Sequence, residues 1–546
     1  MANSDKLFVI AIGGTGMRCL ESFTHLCAMG VFDSKEIDIL TLDTDQTNGN
    51  KQRTEELIKQ YNRIKTTSST QGGNPNKDSF FSAKLNLYRF WTDYNSASRT
   101  KFKNIAQLSN DTPDGENKLL SELFLDDNVQ EFNLAHGYRA QTHLGSYLMY
   151  HAIVEAARNL ESGKNQESQE KEFGEFIQKI YDAGDEARVF VFGSIFGGTG
   201  ASSIPVIPKA LNDAIKIRGG DKMGLSKGVK FGSTLLTEYF SFKKPDAAQK
   251  QSKENAIIAD SSFFTLNSQA ALQFYQSDPT VQSTYKKMYH IGWPITSEDF
   301  SKNSNEKETI TGGQNQKNPN HITELICACA AFDFFNTDSF NNDKAEYVYK
   351  SVRYKDGILD FNFNDFIGDG DNGKFFARKF GGFVSFMHLA LTINKGSLGD
   401  NGVQGFLNRL EKQNIHNYST LEEQYTVDLN NYLKSFGYSF DNNNFTSGWL
   451  YQIKSTVTGK LILNENAYTQ SLKELNKLDI GKLFEEKEYH WEKAGSFAGI
   501  GGSTYEAFVD TLIDPEVEPK AEQNCSDTNE KFLAHIYNAV KKSQKI

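Results

Sequence analysis

The stretch covering residues 189–209, VFVFGSIFGGTGASSIPVIPK, limits the choice of fold more than any other part of the chain. Its apolar, β-branched and aromatic start (Val189, Phe190, Val191, Phe192) predicts a buried strand. The run breaks into a loop with Gly197, Gly198 and Gly200, then resumes with helical spacing through Ile204, Ile207 and Leu211. Strand, glycine-rich loop, helix is the order that turns free backbone N–H groups and the positive end of a helix towards an anion. Glycine lets the backbone approach a phosphate where a Cβ would collide. A tight strand-to-helix turn in an α/β protein accounts for the same pattern without a ligand.

A second unit of this kind opens the chain. Residues 7–12 read as a buried strand that runs into Gly13, Gly14, Thr15 and Gly16, then into a helix through Leu20, Phe23 and Leu26. A further strand at 37–42 ends in Asp43, Thr44 and Asp45, the continuation expected of a parallel βαβ unit. Residues 50–125 read as an inserted helical region, with 80–91 rich in aromatic residues. A short strand is expected at 132–134, followed by Gly137, Arg139 and Gly145 and a helix. Strands are also expected in 229–242 and 289–294. Residues 321–335 have almost no polar face, the mark of a buried helix. Beyond 347, strand-like runs at 382–386 and 389–393 mix with helices.

Composition narrows the function classes. The chain has 546 residues, 59 Lys and Arg against 69 Asp and Glu, and a formal charge of −10. Phosphate-backbone binding needs a basic surplus, so there is no strong nucleic-acid signal. The five cysteines form no CxxC pair or regular framework, which suits a reducing cytoplasm. Cys327 and Cys329 read as small buried hydrophobes. No stretch nears the roughly 18 apolar residues of a transmembrane helix. The ten histidines show no metal-binding spacing. Residues 368–375, GDGDNGKF, lack the hydroxyl of a P-loop and place carboxylates where phosphate would lie.

Taken in order, the loops resemble those of the tubulin/FtsZ superfamily. Its glycine-rich signature GGGTG[ST]G, followed in FtsZ by AAPVIA, is similar to Gly197-Gly198-Thr199-Gly200-Ala201-Ser202 and the later Pro205-Val206-Ile207, with Phe196 and Ser202 in place of glycines. Gly13 to Gly16 resemble the first phosphate loop, Asp43-Thr44-Asp45 the Asn-Thr-Asp after the second strand, and residues 137–145 the third loop, with Arg139 at its inner glycine. The resemblance covers about residues 1–350. It implies an α/β fold: a Rossmann-like parallel-sheet GTP-binding domain over 1–318, a long core helix over 319–337, an activation-type domain over 338–440 and a C-terminal extension over 441–546.

The same resemblance implies a cytoplasmic GTPase, with GTP or GDP and Mg²⁺ as cofactors, that polymerises head to tail with itself and serves an unknown cargo or adaptor. The nucleotide would be held by Gly13, Gly14, Thr15, Gly16, Asp43, Asp45, Gly137, Arg139, Gly197, Gly198, Thr199, Gly200, Ala201 and Asn320, with Asp45 near the metal. Asn318 and Thr323 rival Asn320 for the base. Asn341 to Glu346 resemble the acidic loop after the core helix, so Asp343 and Glu346 are the expected catalytic residues, acting on the neighbouring subunit's nucleotide. Asp333 and Asp338 are rivals. Two other readings stand beside this one: a non-hydrolysing tubulin-like scaffold, and a Rossmann NAD(P)-dependent oxidoreductase using Gly13 to Gly16 with Asp43 or Asp45 on a ribose. Against the latter, the first loop lacks the third glycine of GxGxxG spacing and leaves the second loop unexplained.

Overall fold

In the computed structural model, the described residues are 5–45, 47–66, 73–91, 123, 125, 127–130, 138, 142–163, 168–219, 224–240, 261–293, 313–341, 344–351, 353–355, 358–360, 372–392, 418, 421, 423–437, 448–455 and 511–543. Their centre is a seven-stranded sheet with the order β3-β2-β1-β4-β5-β6-β7. The strands are β1 (Lys6–Ile12), β2 (Glu36–Asp43), β3 (Lys84–Trp91), β4 (Ala187–Phe192), β5 (Lys230–Leu236), β6 (Tyr285–Gly292) and β7 (Glu346–Ser351). All neighbours pair in parallel.

A parallel sheet must be covered on both faces, so its strands read as continuous apolar runs rather than as alternating ones. Along β1, Leu7, Val9 and Ala11 enter one core and Phe8, Ile10 and Ile12 the other. The first core holds α1 (Gly13–Ala28), α2 (Gly49–Lys65) and α7 (Ile322–Asn336). The second is roofed by α3 (Thr142–Ser162), α4 (Ser168–Ala183) and α6 (Ile207–Gly219), which follows the single turn α5 (Thr199–Ser203). The α/β class with a Rossmann-like parallel sheet is therefore as expected.

The core helix α7 buries every residue except Asp333 and Asn336. Phe334 and Phe335 both pack on Phe190 of β4. Its start is fixed by a capping box, in which the His321 side chain accepts from Thr323 N–H and Glu324 reaches back to the His321 N–H. All four described cysteines of α1 and α7 are buried.

Two local expectations fail. Residues 84–91 form strand β3 rather than a helix, because Leu85, Tyr88 and Phe90 find cores on the two faces of the sheet. Residues 382–386, and 389–392 of the run expected at 389–393, lie inside α8 (Asn372–Thr392), not in strands. There Phe376, Phe380, Phe383 and Met387 make a helical stripe that a glycine pair and a β-branched residue mask. Residues 132–134 lie outside the described set.

The C-terminal helices α8, α9 (Glu423–Phe436), α10 (Trp449–Ser455) and α11 (Thr528–Ser543) add to the core formed by α1, α2 and α7. Tyr432 meets His25 Nδ1 at 3.0 Å, and the Trp449 indole donates to Ser22 at 3.0 Å. On α2, Arg63 pairs with Asp428, and Lys65 lies 3.8 Å from Glu530 with both side chains fully buried. Among the described residues, β7, within the expected 338–440 unit, extends the main sheet. No helix among them is long and apolar enough to cross a membrane.

Candidate functional site

Strand order changes direction between β1 and β4, since the chain moves from β1 outward to β2 and β3 and then returns to β4. Ligand crevices of open α/β sheets lie outside the carboxyl ends of the strands at such a point. Here those ends are Ile12 and Phe192, and each runs straight into one of the glycine loops.

The two loops touch. Gly13 has φ +66°, and a Cβ built on it would lie 3.1 Å from Thr199 Cβ. A Cβ on Gly16 would be 2.5 Å from Phe192 O, and one on Gly200 would be 2.5 Å from Ser194 O. Glycine at 16 and 200 is thus required by the close packing of the loops, whereas Gly197 meets only Ser194 Oγ at 3.6 Å. Gly14, Thr15, Gly197, Gly198 and Thr199 are partly exposed around this contact.

Neither Ile12 ahead of α1 nor Gly198 ahead of α5 supplies a side-chain cap. The first-turn N–H groups of a helix have no intrahelical acceptor. The N-terminus of α1, sixteen residues long, therefore presents donors and partial positive charge to the crevice.

The departures from the glycine signature have structural reasons. Phe196 is buried and turns away from the crevice against Tyr239, Phe240 and Phe264. Ser202 is buried, donates to Thr199 O at 3.0 Å, and receives Ser146 Oγ on its own carbonyl at 2.7 Å. Gly145 packs on that same serine, so the start of α3 lies against the helix that follows the second loop. Gly137 and Arg139 lie outside the described residues. Ala201 is buried, and its carbonyl accepts the Tyr275 hydroxyl at 2.6 Å.

Acidic residues occupy the end of β2 beside the first loop. Asp43 Oδ1 accepts from the N–H groups of Thr44 (2.7 Å) and Asp45 (3.3 Å), while Oδ2 is buried without a partner among the described residues. Burial, reinforced by the neighbouring Asp45 charge, lifts the Asp43 carboxyl to about 7. Asp45 is fully engaged: Oδ1 accepts from Thr47 N–H and hydroxyl at 2.9 and 2.8 Å, and Oδ2 accepts from Gly313 N–H at 2.6 Å. Among the described residues no group of three or more His, Cys, Asp or Glu side chains is placed to hold a metal ion.

Sequence reasoning named Asn318 and Asn320 but missed Gly313 and Gln316 of the segment 313–320, which crosses the first loop. Gln316 Oε1 lies 3.2 Å, and the side-chain nitrogens of Asn48 and Asn50 lie 3.3 and 3.4 Å, from a Cβ built on Gly14. No local pattern announces contacts between residues 268 apart. Asn320 at its end is buried; its N–H donates to Gln452 Oε1 at 2.7 Å, and its Nδ2 has no partner among the described residues.

Of the expected catalytic residues, Glu346 is not at this crevice. Glu346 opens β7 and is exposed; in a parallel sheet, that start lies at the edge opposite the loops that follow β1 and β4. Asp343 lies outside the described residues. Asp333 is committed to Lys287 Nζ at 2.8 Å and to the Tyr289 hydroxyl.

No family model, curated protein or solved structure matches this chain.

Proposed function

We propose that this chain is a tubulin/FtsZ-like nucleotide-binding protein, with GTP as the nucleotide the sequence resemblance implies and head-to-tail self-assembly as its mode of action. The observation that carries the reading is the contact of Gly13 with Thr199 at the point where strand order reverses. Two glycine loops meeting there give one triphosphate two sets of backbone donors, Gly14 to Gly16 from α1 and Gly198 to Gly200 from the loop after β4. The carboxylates of Asp43 and Asp45 border that site. Glu346, at the opposite edge of the sheet, and with it Asp343 would act on the nucleotide of the next subunit, orienting or deprotonating water. A heterologous contact of this kind repeats without closing and gives a filament.

The unpartnered Asp43 Oδ2 at the end of β2 favours one other reading, a Rossmann dinucleotide site in which that oxygen accepts from a ribose hydroxyl. One experiment separates these readings. Purified protein is sedimented with GTP, ATP, a slowly hydrolysed GTP analogue or NADH, and bound nucleotide is measured in parallel. GTP-dependent pelleting supports the filament, GTP binding without pelleting supports a scaffold, and NADH binding alone supports the dinucleotide site. Thr199→Val abolishes nucleotide binding under the proposal; unchanged affinity would overturn it.

A further inference from the structure

The segment Gly313 to Asn320, reading GQNQKNPN, is held across the mouth of the crevice at three points. At its start, the Gly313 N–H donates to Asp45 Oδ2 at 2.6 Å, and Gly313 O accepts the Gly49 N–H at 3.0 Å. In its middle, Gln316 Oε1 accepts from Asn48 Nδ2 at 2.6 Å and lies against Gly14. Near its end, Asn50 and Asn318 exchange two bonds of 3.2 Å, Arg53 donates to Asn318 O at 3.0 Å, and Arg18 donates to Pro319 O.

Two features mark this segment as movable. It has no apolar side chain but Pro319, which is exposed, and Gln314, Asn315 and Lys317 are exposed as well. The bonds that hold it are part-buried, but no apolar side chain is buried with them, so opening exchanges each for bonds to water at a small net cost. The second feature is Gly49, which needs no unusual φ and begins α2; a Cβ there would lie 2.5 Å from Gln314 O and 2.9 Å from Gln316 O. Glycine at 49 is what allows the segment to lie down.

We infer that residues 313–318 form a strap that closes the glycine-loop crevice over Gly14, and that lifting it from Asn48 and Gly49 admits the phosphate-bearing ligand. The inference rests on the nucleotide reading above. With the strap down, the amide of Gln316 occupies the approach to Gly14, and ligand affinity is reduced by the fraction of molecules in the open form. Weakening the strap therefore tightens binding and speeds it.

The test is stopped-flow association of a fluorescent GTP derivative with full-length wild type, Gly49→Ala and Gln316→Ala, each checked for native circular dichroism. Gly49→Ala pushes the strap off by steric contact, and Gln316→Ala clears Gly14 without touching the backbone. The expected result is association about tenfold faster in both, the equivalent of one or two lost hydrogen bonds. Hydrogen exchange supplies a second readout: amides of 313–318 exchange faster when inorganic tripolyphosphate or GTP is bound. Binding with unchanged rates in both variants overturns the strap and leaves the nucleotide reading standing. Absence of binding in all three proteins overturns both.

Discussion

Thr199 stands 3.1 Å from the point where a side chain on Gly13 would begin, although the two residues belong to different strand–loop–helix units. Each loop is the other's wall. Gly13 combines this contact with a left-handed backbone, φ +66°, that an L side chain adopts at a cost of about 1–2 kcal/mol. Gly13→Ala is therefore expected to lower the unfolding free energy by at least that amount and to weaken nucleotide binding. Denaturant unfolding and a binding titration on the same sample check both effects.

Asp43 sets a pH dependence whose sign is fixed by its burial. Its carboxyl rises from 3.8 in the unfolded chain to about 7 in the folded protein. Its contribution to stability is complete below the unfolded value and is lost as pH climbs towards 7. Relative to wild type, Asp43→Asn should thus stabilise the protein increasingly between about pH 4 and pH 7 and by a constant amount above that, at most about 4 kcal/mol. Unfolding midpoints of the two proteins across this range give the difference directly. A difference independent of pH would refute the assignment.

The pair of Arg18 and Glu324 joins α1 to α7, with side chains 4% and 0% exposed. Glu324 also accepts from the Tyr239 hydroxyl at 2.7 Å, and burial raises its carboxyl above the usual range even though Arg18 opposes the shift. Removing one member leaves a buried charge alone. Arg18→Met is expected to cost about 3–5 kcal/mol, and Arg18→Met with Glu324→Gln distinctly less than the sum of the single changes. A double-mutant cycle by chemical denaturation measures the coupling.

Glu346 tests the trans arrangement. Under the proposed function, Glu346→Gln lowers the GTP turnover rate about 10²–10⁴-fold, the usual range for a general acid–base group, while nucleotide affinity stays unchanged because the site lies on another subunit. Adding Thr199→Val protein, which keeps Glu346 but holds no nucleotide, should restore part of the activity. Failure of that mixture to recover turnover, with Glu346→Gln alone inactive, would argue against action between subunits.

Much of the sheet was legible because its signals are local. Residues 7–12 and 189–192 are unbroken apolar runs that lead into glycine, 37–42 is a mostly apolar run that leads into Asp43, and α7 has no polar face to confuse its assignment. Strand β3 was obscured by its polar flanks and aromatic content, though Leu85, Tyr88 and Phe90 do divide between two faces. In α8 the run GGFVSF hid a helical stripe that only the positions of Phe376, Phe380 and Phe383 reveal. The order of the loops suggested a shared site, but the hydrogen bond from Gly313 to Asp45 spans 268 residues and has no counterpart in composition or spacing.

The packing of the C-terminal helices on α1 and α2 has a consequence for biosynthesis. His25 receives its tyrosine from position 432, and Lys65 its buried glutamate from position 530. When the ribosome has released the first 340 residues, the outer side of α1 and α2 still lacks its cover. It must wait, with apolar surface uncovered, for nearly two hundred more residues. Such distant closure slows folding, and a fragment cut after the core helix should be recovered in inclusion bodies rather than as a working nucleotide-binding half.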